Sequence, residues 1–310
     1  MKISALTPDL FPAAARMLSL QHQKPEDLLL SALRGFDRPG MSGVVAHEGD
    51  QLLGFLLGQA SMHPFYGRSV RVPLLGQAVS SEHPDLLANL YAALGEQWLL
   101  KGNFLHQVMV PVAHTQTQQA WFRLGFGVEQ VHGELDLTDL QGKLSPQVRR
   151  ATLADLDQLA DLVAVIGRHY VHAPVFEPFY PEQPADLLEG YAEVLQETDW
   201  TLWLYEEERQ VLAFQLHAPL KATWEVPEHT AELKTAATLP AARGRGLQKT
   251  LLRHALLDLK VHGVQQLRAD WRGTNLQSAR AWRGLGFQET VFRLSRRLPA
   301  DLGWARGAAE

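Results

Sequence analysis

The sequence predicts an α/β protein made of two tandem copies of one domain, each a mixed sheet flanked by helices. Three observations carry this. Ala120–Phe126 (AWFRLGF) recurs as Ala281–Phe287 (AWRGLGF) with the same spacing of tryptophan, glycine and phenylalanine. Runs with the two-residue alternation of strands are interleaved with runs whose apolar residues recur every three or four positions. A chain of 310 residues with 46% hydrophobic and 20% charged residues is large enough for two ordinary soluble domains.

The correspondence between the copies is collinear, which marks a duplicated domain and not a chance motif. Gln51–Ala60 (QLLGFLLGQA) answers to Gln210–Pro219 (QVLAFQLHAP), and Ala5–Leu18 answers to Ala151–Val163. The turn-rich stretch Thr138–Gln147 separates them, giving a first copy over residues 1–142 and a second over 147–310. Each copy opens on a short strand. A helix with an aspartate near its start follows, as in Asp155, Leu156, Leu159, Leu162 and Val163. Next comes a hairpin, turning at His47–Asp50 in the first copy and at Glu206–Arg209 in the second. A long strand (70–79 or 231–239), a helix (85–100 or 247–262) and a further strand (104–110 or 264–271) then lead to a short helix that stops at Leu-Gly-Phe, where the glycine is expected to be a left-handed terminator.

Composition narrows the function. With no cysteine, disulfides, thiolate metal sites and a cysteine nucleophile are excluded. The opening MKISALTPDL has no apolar signal core and the run Leu52–Leu57 is too short to span a bilayer, so no membrane association and a cytoplasmic location are expected. A net charge of -5 speaks against a nucleic-acid partner. The charge is uneven. Glu182–Glu232 holds 12 acids against 2 bases, and Arg243–Arg297 holds 12 bases against 3 acids. Such segments are either the two sides of a site or ordinary solvated helix faces.

The most informative stretch is Arg243–Gln248 (RGRGLQ), between a strand ending near Pro240 and a helix whose apolar ridge includes Leu247, Leu251 and Leu252. A helix start offers unpaired N–H groups and the positive end of the dipole. Gly244 and Gly246 let an anion approach, and Arg243, Arg245 and Lys249 surround it with positive charge, so a pyrophosphate is expected there. The alternative is a tight turn with solvated arginines. A Walker A loop is excluded because Gln248 precedes Lys249, and a dinucleotide fingerprint is excluded because Lys249 stands where its third glycine belongs.

With ATLPAARGRGLQKTLL followed by NLQSARAWRGLGF from Asn275, the chain resembles the GNAT superfamily of N-acetyltransferases, of tandem two-domain type. Arg243 and Gly246 fit its pattern of Arg or Gln, two residues, Gly, one residue, Gly or Ala; Gln248 stands at the last of these. The resemblance implies two GNAT-like domains, each with a mixed, mostly antiparallel sheet whose fourth and fifth strands splay into a cleft for acetyl-CoA, used as cosubstrate without a metal. Carried over residue by residue, the main chain of Ala237, Thr238 and Leu239 is expected to pair with the pantetheine arm. Arg243, Gly244, Arg245, Gly246, Leu247, Gln248 and Lys249 would wrap the pyrophosphate, and Asn275 would help hold the arm. The partner is an amine of a small molecule or peptide.

The first copy departs from this pattern. Its equivalent turn, Ala78–Leu90 (AVSSEHPDLLANL), has no glycine and carries Glu82 and Asp85, and His114 replaces Asn275. It is expected to be degenerate, with the second copy active. Glu232 is the candidate base, with the alternative that Lys234 two residues on holds it as an ordinary strand charge. The tyrosine that the family uses as acid is Trp282 here, so either another group or water protonates the thiolate, or the chain is a non-catalytic CoA-binding protein. The segment Arg168–Pro184 is expected to shape the acceptor pocket or to pack as a lid, and its His169, His172 and Glu177 lack metal-site spacing.

Overall fold

The computed structural model describes all residues except 37, 64–66, 81, 84, 139–142, 303–304 and 306–310. Along the first half of the chain run β1 (Lys2–Ala5), α1 (Phe11–His22), α2 (Glu26–Arg34), β2 (Met41–Glu48), β3 (Gln51–His63), β4 (Gly67–Val72), β5 (Gln77–Val79), α3 (Leu86–Leu100), β6 (Leu105–Pro111), α4 (Thr115–Arg123) and β7 (Gly127–Asp136). Then come β8 (Val148–Arg150), α5 (Leu156–Val163), α6 (Val165–Tyr170), α7 (Gln183–Val194), β9 (Thr201–Glu207), β10 (Gln210–Pro219), β11 (Thr230–Thr238), α8 (Leu247–Val261), β12 (Gln266–Arg272), α9 (Leu276–Gly284) and β13 (Gln288–Arg297). The element order repeats as the sequence predicts. No helix among the described residues is long and apolar enough to cross a membrane.

Two compact units form, Met1–Gln130 with Thr290–Glu310, and Val131–Glu289. This is not the division of the sequence repeat at 142 and 147, and the difference lies in two strands. Most of β13, the last strand of the second repeat, belongs to the first unit, where it pairs antiparallel with β6 from Val291↔Pro111 to Arg297↔Leu105. Most of β7, the last strand of the first repeat, belongs to the second unit, where it neighbours β12 and the Leu137 N–H donates to Gln265 O at 2.9 Å. Each strand carries the same alternating pattern, so either meets the requirements of the edge it joins.

In the first unit the strands run β1-β2-β3-β4-β6-β13, with β5 also paired to β3. β4 and β6 are parallel neighbours, because α3 crosses between them. Its core gathers Leu90, Trp98, Val108, Trp121 and Phe126 around Tyr91, whose hydroxyl donates to His106 Nδ1 at 2.8 Å while His106 Nε2 donates to Asn103 O at 3.0 Å. Burial holds His106 down to about 4, so it is neutral and fits this donor pattern.

In the second unit the order is β7-β12-β11-β10-β9-β8, with β11 and β12 parallel across α8. The α5 and α7 side buries Leu159, Leu162, Tyr191, Leu204 and Phe214, and the α8 side buries Trp203, Ala213, Leu251 and Ala255. Arg149 clamps this unit's start, donating to both Asp155 oxygens at 3.0 and 2.7 Å, while Asp155 also accepts the Thr152 N–H and hydroxyl. Between β9 and β10 the turn is only Glu208–Arg209, both with left-handed backbone, tighter than the four residues expected.

Candidate functional site

A cleft opens in the second unit where two strands stop pairing. The β11–β12 ladder runs from Thr230↔Gln266 to Leu233↔Ala269 and then ends, although both strands continue. The cause lies on the other edge of β11. Against β10, Leu233 faces His217 and Thr235 faces Leu216, so Lys234 is an extra residue, a bulge that bends β11 away from β12 at this rung.

Beyond the bulge, alternation decides which main-chain groups look into the opening. Leu239 N–H donates to Leu212 O at 2.9 Å, so Leu239 and, two residues back, Ala237 face β10. Ala236 and Thr238 face the cleft. Of the three residues expected to pair with a pantetheine arm, Thr238 turns its main-chain groups to the cleft, as Ala236 does, while Ala237 and Leu239 turn theirs to β10.

The turn after β11 has the predicted form. A short helical turn at Pro240–Ala242 and extended Arg243 lead into Gly244 and Gly246, at φ 76° and 78°, and Gly246 caps α8. A Cβ at either glycine would meet nothing within 4 Å, so the backbone conformation demands glycine and the space above it is open. No side chain caps this helix, and among the described residues the N–H groups of Leu247, Gln248 and Lys249 have no hydrogen-bond partner within the turn. Arg243 and Lys249 are exposed and make no ion pair among the described residues, and Arg245 is held by Glu207 at 2.6 Å in an exposed pair that is easily exchanged. The cradle therefore fits a pyrophosphate. Leu247 is buried and contributes its amide alone.

Gln248 does something the family pattern does not imply. Its Nε2 donates to Ala237 O at 2.8 Å and Thr238 Oγ1 at 3.0 Å, and its Oε1 accepts from Gln215 Nε2 at 2.8 Å. Gln215 Oε1 in turn meets His217 Nε2 at 3.1 Å. The side chain points down into the sheet, pins the start of α8 to β10 and β11, and leaves its own amide clear. His217, buried and held down to about 3, is neutral beneath this chain. A cavity of about 400 Å³ adjoins the turn, lined by Lys249, Leu252, Arg253, Leu256, Gly284 and Leu285 among others.

At the mouth of the cleft stands Tyr170, which the sequence reading passed over. It ends α6, a helix packed on β11; burial raises its hydroxyl above the ordinary value, and Asn275, just past the end of β12, acts against that rise. Asn275 is otherwise the cap of α9, with Oδ1 accepting from Ser278 N at 3.2 Å and Nδ2 donating to Ser278 Oγ at 2.8 Å. Next to it, Arg272 pairs with Glu177, and the Glu177 N–H donates to Tyr170 O at 2.8 Å. Glu177 thus belongs to an ion pair, and no group of three metal-ligating side chains occurs among the described residues.

Glu232 lies on the last rungs of the closed ladder, opposite Arg268, and is paired with Lys234. Trp282 is buried against Phe287, at 5.7 Å between ring centroids, in a packing role.

The first unit carries the same cleft in altered form. The β4–β6 ladder ends at Val72↔Val108, and after Pro73 and a short helical turn β5 rejoins β3 at Phe55↔Ala78 and Gly54↔Val79. That register equates Gln77 with Ala236. Gln77 reaches across, Nε2 donating to Met109 O at 2.8 Å and Oε1 accepting from Trp121 Nε1 at 2.7 Å, while Gln21 Nε2 meets its carbonyl at 3.4 Å. His22 lies against His114, with ring centroids 5.7 Å apart. In the turn before α3, Ser81 and Pro84 lie outside the described residues.

Residues 169–287 match the model of the acetyltransferase (GNAT) family. Among solved structures, the chain is similar to a GCN5-related N-acetyltransferase from Sphaerobacter thermophilus, at TM-score 0.62 and 13% identity over 96% of this chain and 95% of that one. It is also similar to a GCN5-related glucosamine N-acetyltransferase region in a fungal multidomain GH3 β-N-acetylglucosaminidase, at TM-score 0.59 and 16% identity over 95% of this chain and 38% of that one. A third likeness is to a tandem GNAT protein from the clavulanic acid biosynthesis pathway, at TM-score 0.50 and 12% identity over 96% and 98%. At these identities the likeness is one of fold. No protein of curated function matches the chain in sequence. The chain has the mixed α/β fold of the GNAT acetyltransferases. The family match lies in residues 169–287, and that family generally transfers acyl groups from acetyl-CoA to amines.

Proposed function

We propose that this chain transfers the acetyl group of acetyl-CoA directly to the amine of a small molecule or peptide, with the reaction in the second repeat (147–310) and the first (1–142) a degenerate scaffold. The amine nitrogen attacks the thioester carbonyl, the C–S bond breaks, the nitrogen loses a proton and the thiolate gains one. Glu232 is the group assigned to take the amine proton. The observation that carries the reading is the Arg243–Lys249 turn, with two left-handed glycines, open space above them and unpartnered amides, at the end of a strand bent away from its neighbour. Ala236 and Thr238 would offer main-chain groups to the pantetheine arm.

The test is thermal unfolding with acetyl-CoA, followed by thiol release with glucosamine, spermidine, tyramine and a lysine-containing peptide. At about a hundred times its Kd the ligand is expected to add about 2.7 kcal/mol of stability. Gly246→Trp and Arg243→Glu are expected to abolish that gain, and a gain that survives both overturns the reading. One observation favours the alternative of a CoA-binding protein without turnover, namely that Trp282 is packed where the family keeps an acid. Stabilisation without thiol release from any of the four amines would decide for it.

A further inference from the structure

Resting on the acetyl-CoA reading, we infer that the indole N–H of Trp282 donates a hydrogen bond to an amide carbonyl of the pantetheine arm and so positions the arm in the cleft. The observation behind this is a bond in the other unit. There the equivalent indole, Trp121 Nε1, donates at 2.7 Å to the side-chain carbonyl of Gln77, whose Nε2 donates across the gap to Met109 O on β6. Gln77 and Ala236 are counterparts by register. Gln77 faces Leu56 on β3 and Ala236 faces Gln215 on β10, and Leu56 and Gln215 hold the same place in the repeated strand. The tryptophans are counterparts by local structure. Phe126 N–H donates to Trp121 O at 3.2 Å and Phe287 N–H to Trp282 O at 3.1 Å, and each indole meets that phenylalanine edge to face, at interplanar angles of 68° and 73°. Packing fixes both rings in the same way.

What differs is the acceptor. Ala236 has no side-chain oxygen to offer, and among the described residues Trp282 Nε1 has no hydrogen-bond partner. Trp121 is fully buried, whereas Trp282 is 9% exposed. Water can serve an indole N–H beside an open gap, but a ligand that expels the water must bring an acceptor or leave the N–H orphaned. Gln77 shows which acceptor suits this place, the oxygen of a carboxamide, and amides are what the pantetheine arm carries. The order along β11 selects the amide. With the pyrophosphate on Arg243–Lys249, Thr238 lies nearer to it and Ala236 further in, so the amide beside Ala236 is the one closer to the thioester. An indole donates a hydrogen bond and keeps its proton, so Trp282 anchors the arm and leaves protonation of the thiolate to another group or to water.

The test reads the indole directly. In protein isotopically labelled at its tryptophan side-chain nitrogens, the Trp282 resonance is the one missing from Trp282→Phe, and Trp282→Tyr provides the same assignment should the phenylalanine variant not fold. With saturating CoA the Trp282 N–H is expected to move downfield and to exchange more slowly with solvent, which a purely structural role would not give. Ala236→Gln is expected to move it the same way without ligand, its side-chain oxygen standing in for the arm's carbonyl. By calorimetry, Trp282→Phe is expected to weaken CoA and acetyl-CoA alike, by about tenfold, as loss of one hydrogen bond does. A resonance that stays in place under CoA that calorimetry shows to be bound overturns the assignment and leaves the acetyl-transfer reading standing. Unchanged affinity in Trp282→Phe does the same, as does a loss confined to acetyl-CoA, which puts the N–H on the thioester and not on an amide. Absence of any thermal shift or binding heat with CoA and acetyl-CoA in wild type overturns both.

Discussion

In the first unit the parallel ladder ends at Val72↔Val108 and Gln77 reaches over the gap to Met109 and Trp121; in the second it ends at Leu233↔Ala269 and the equivalent residue is Ala236, with no side chain to send across. Four residues, Pro73–Gly76, separate the rung from the rejoined strand in the first unit, whereas the single bulged residue Lys234 does so in the second. The same scaffold thus gives a sealed gap or an open one, and the polar groups of the gap decide which. Where strands diverge, main-chain and indole groups lose partners, and burial requires that something replace them. The first unit uses its own glutamines. In the second, the ladder with β12 ends before Ala236 and Thr238.

The comparison breaks most sharply by exchange. Ala236→Gln is expected to seal the second cleft as Gln77 seals the first, weakening acetyl-CoA binding by at least about 100-fold, since a buried side chain and its hydrogen bonds must be displaced. Calorimetric titration against wild type checks it, and retained affinity would mean that the ligand does not use this gap.

A second comparison concerns acid. His106 in the first unit is held to about 4 and His217 in the second to about 3, both by burial. The unfolded chain binds a proton on each below about pH 6.5 that the folded chain refuses, so stability is full above that pH and is lost as pH falls from about 6.5 towards 4, on the order of 3 kcal/mol for each group. His22, held to about 4 by burial and then by His114, adds a loss in the first unit only. Hydrogen exchange at pH 7 and pH 5 is expected to show the first unit losing more protection, and equal losses would overturn this.

The reverse exchange has a smaller effect. Gln77→Ala orphans Met109 O and Trp121 Nε1 and is expected to cost about 2–3 kcal/mol in urea unfolding. It is not expected to create affinity for acetyl-CoA, because Glu82 and Asp85 repel a pyrophosphate. Smallest is the β9–β10 turn. Arg209→Gly relieves a left-handed arginine at φ 66° and is expected to add about 0.5–1 kcal/mol, whereas the first hairpin already holds Gly49 in that conformation and has nothing to gain.

The parts of this molecule legible in its sequence are those fixed by local chemistry. The Gly244 and Gly246 spacing reads directly because only glycine takes that backbone easily, and the repeat reads because Trp121 and Trp282 fill the same place beside a Leu-Gly-Phe stop. What escaped depends on register or on distant partners. Whether Ala237 or Ala236 faces the cleft hinges on the bulge at Lys234, and no pattern in β11 announces it. Gln77 reads as one more strand polar residue until Met109 and Trp121 come beside it. The neighbours of β7 and β13 are equally non-local, since both have the pattern that either edge accepts.

The placement of β13 in the first unit has a consequence for biosynthesis. Of the two units, the one begun first is completed last, because its strand partner for β6 leaves the ribosome only after the whole of the second unit has been translated. At about 5–20 residues per second, β6 waits on the order of ten seconds or more with an unpaired edge. A stop codon just after α9 would therefore unmake the amino-terminal unit, far away in sequence, by removing the strand that closes it.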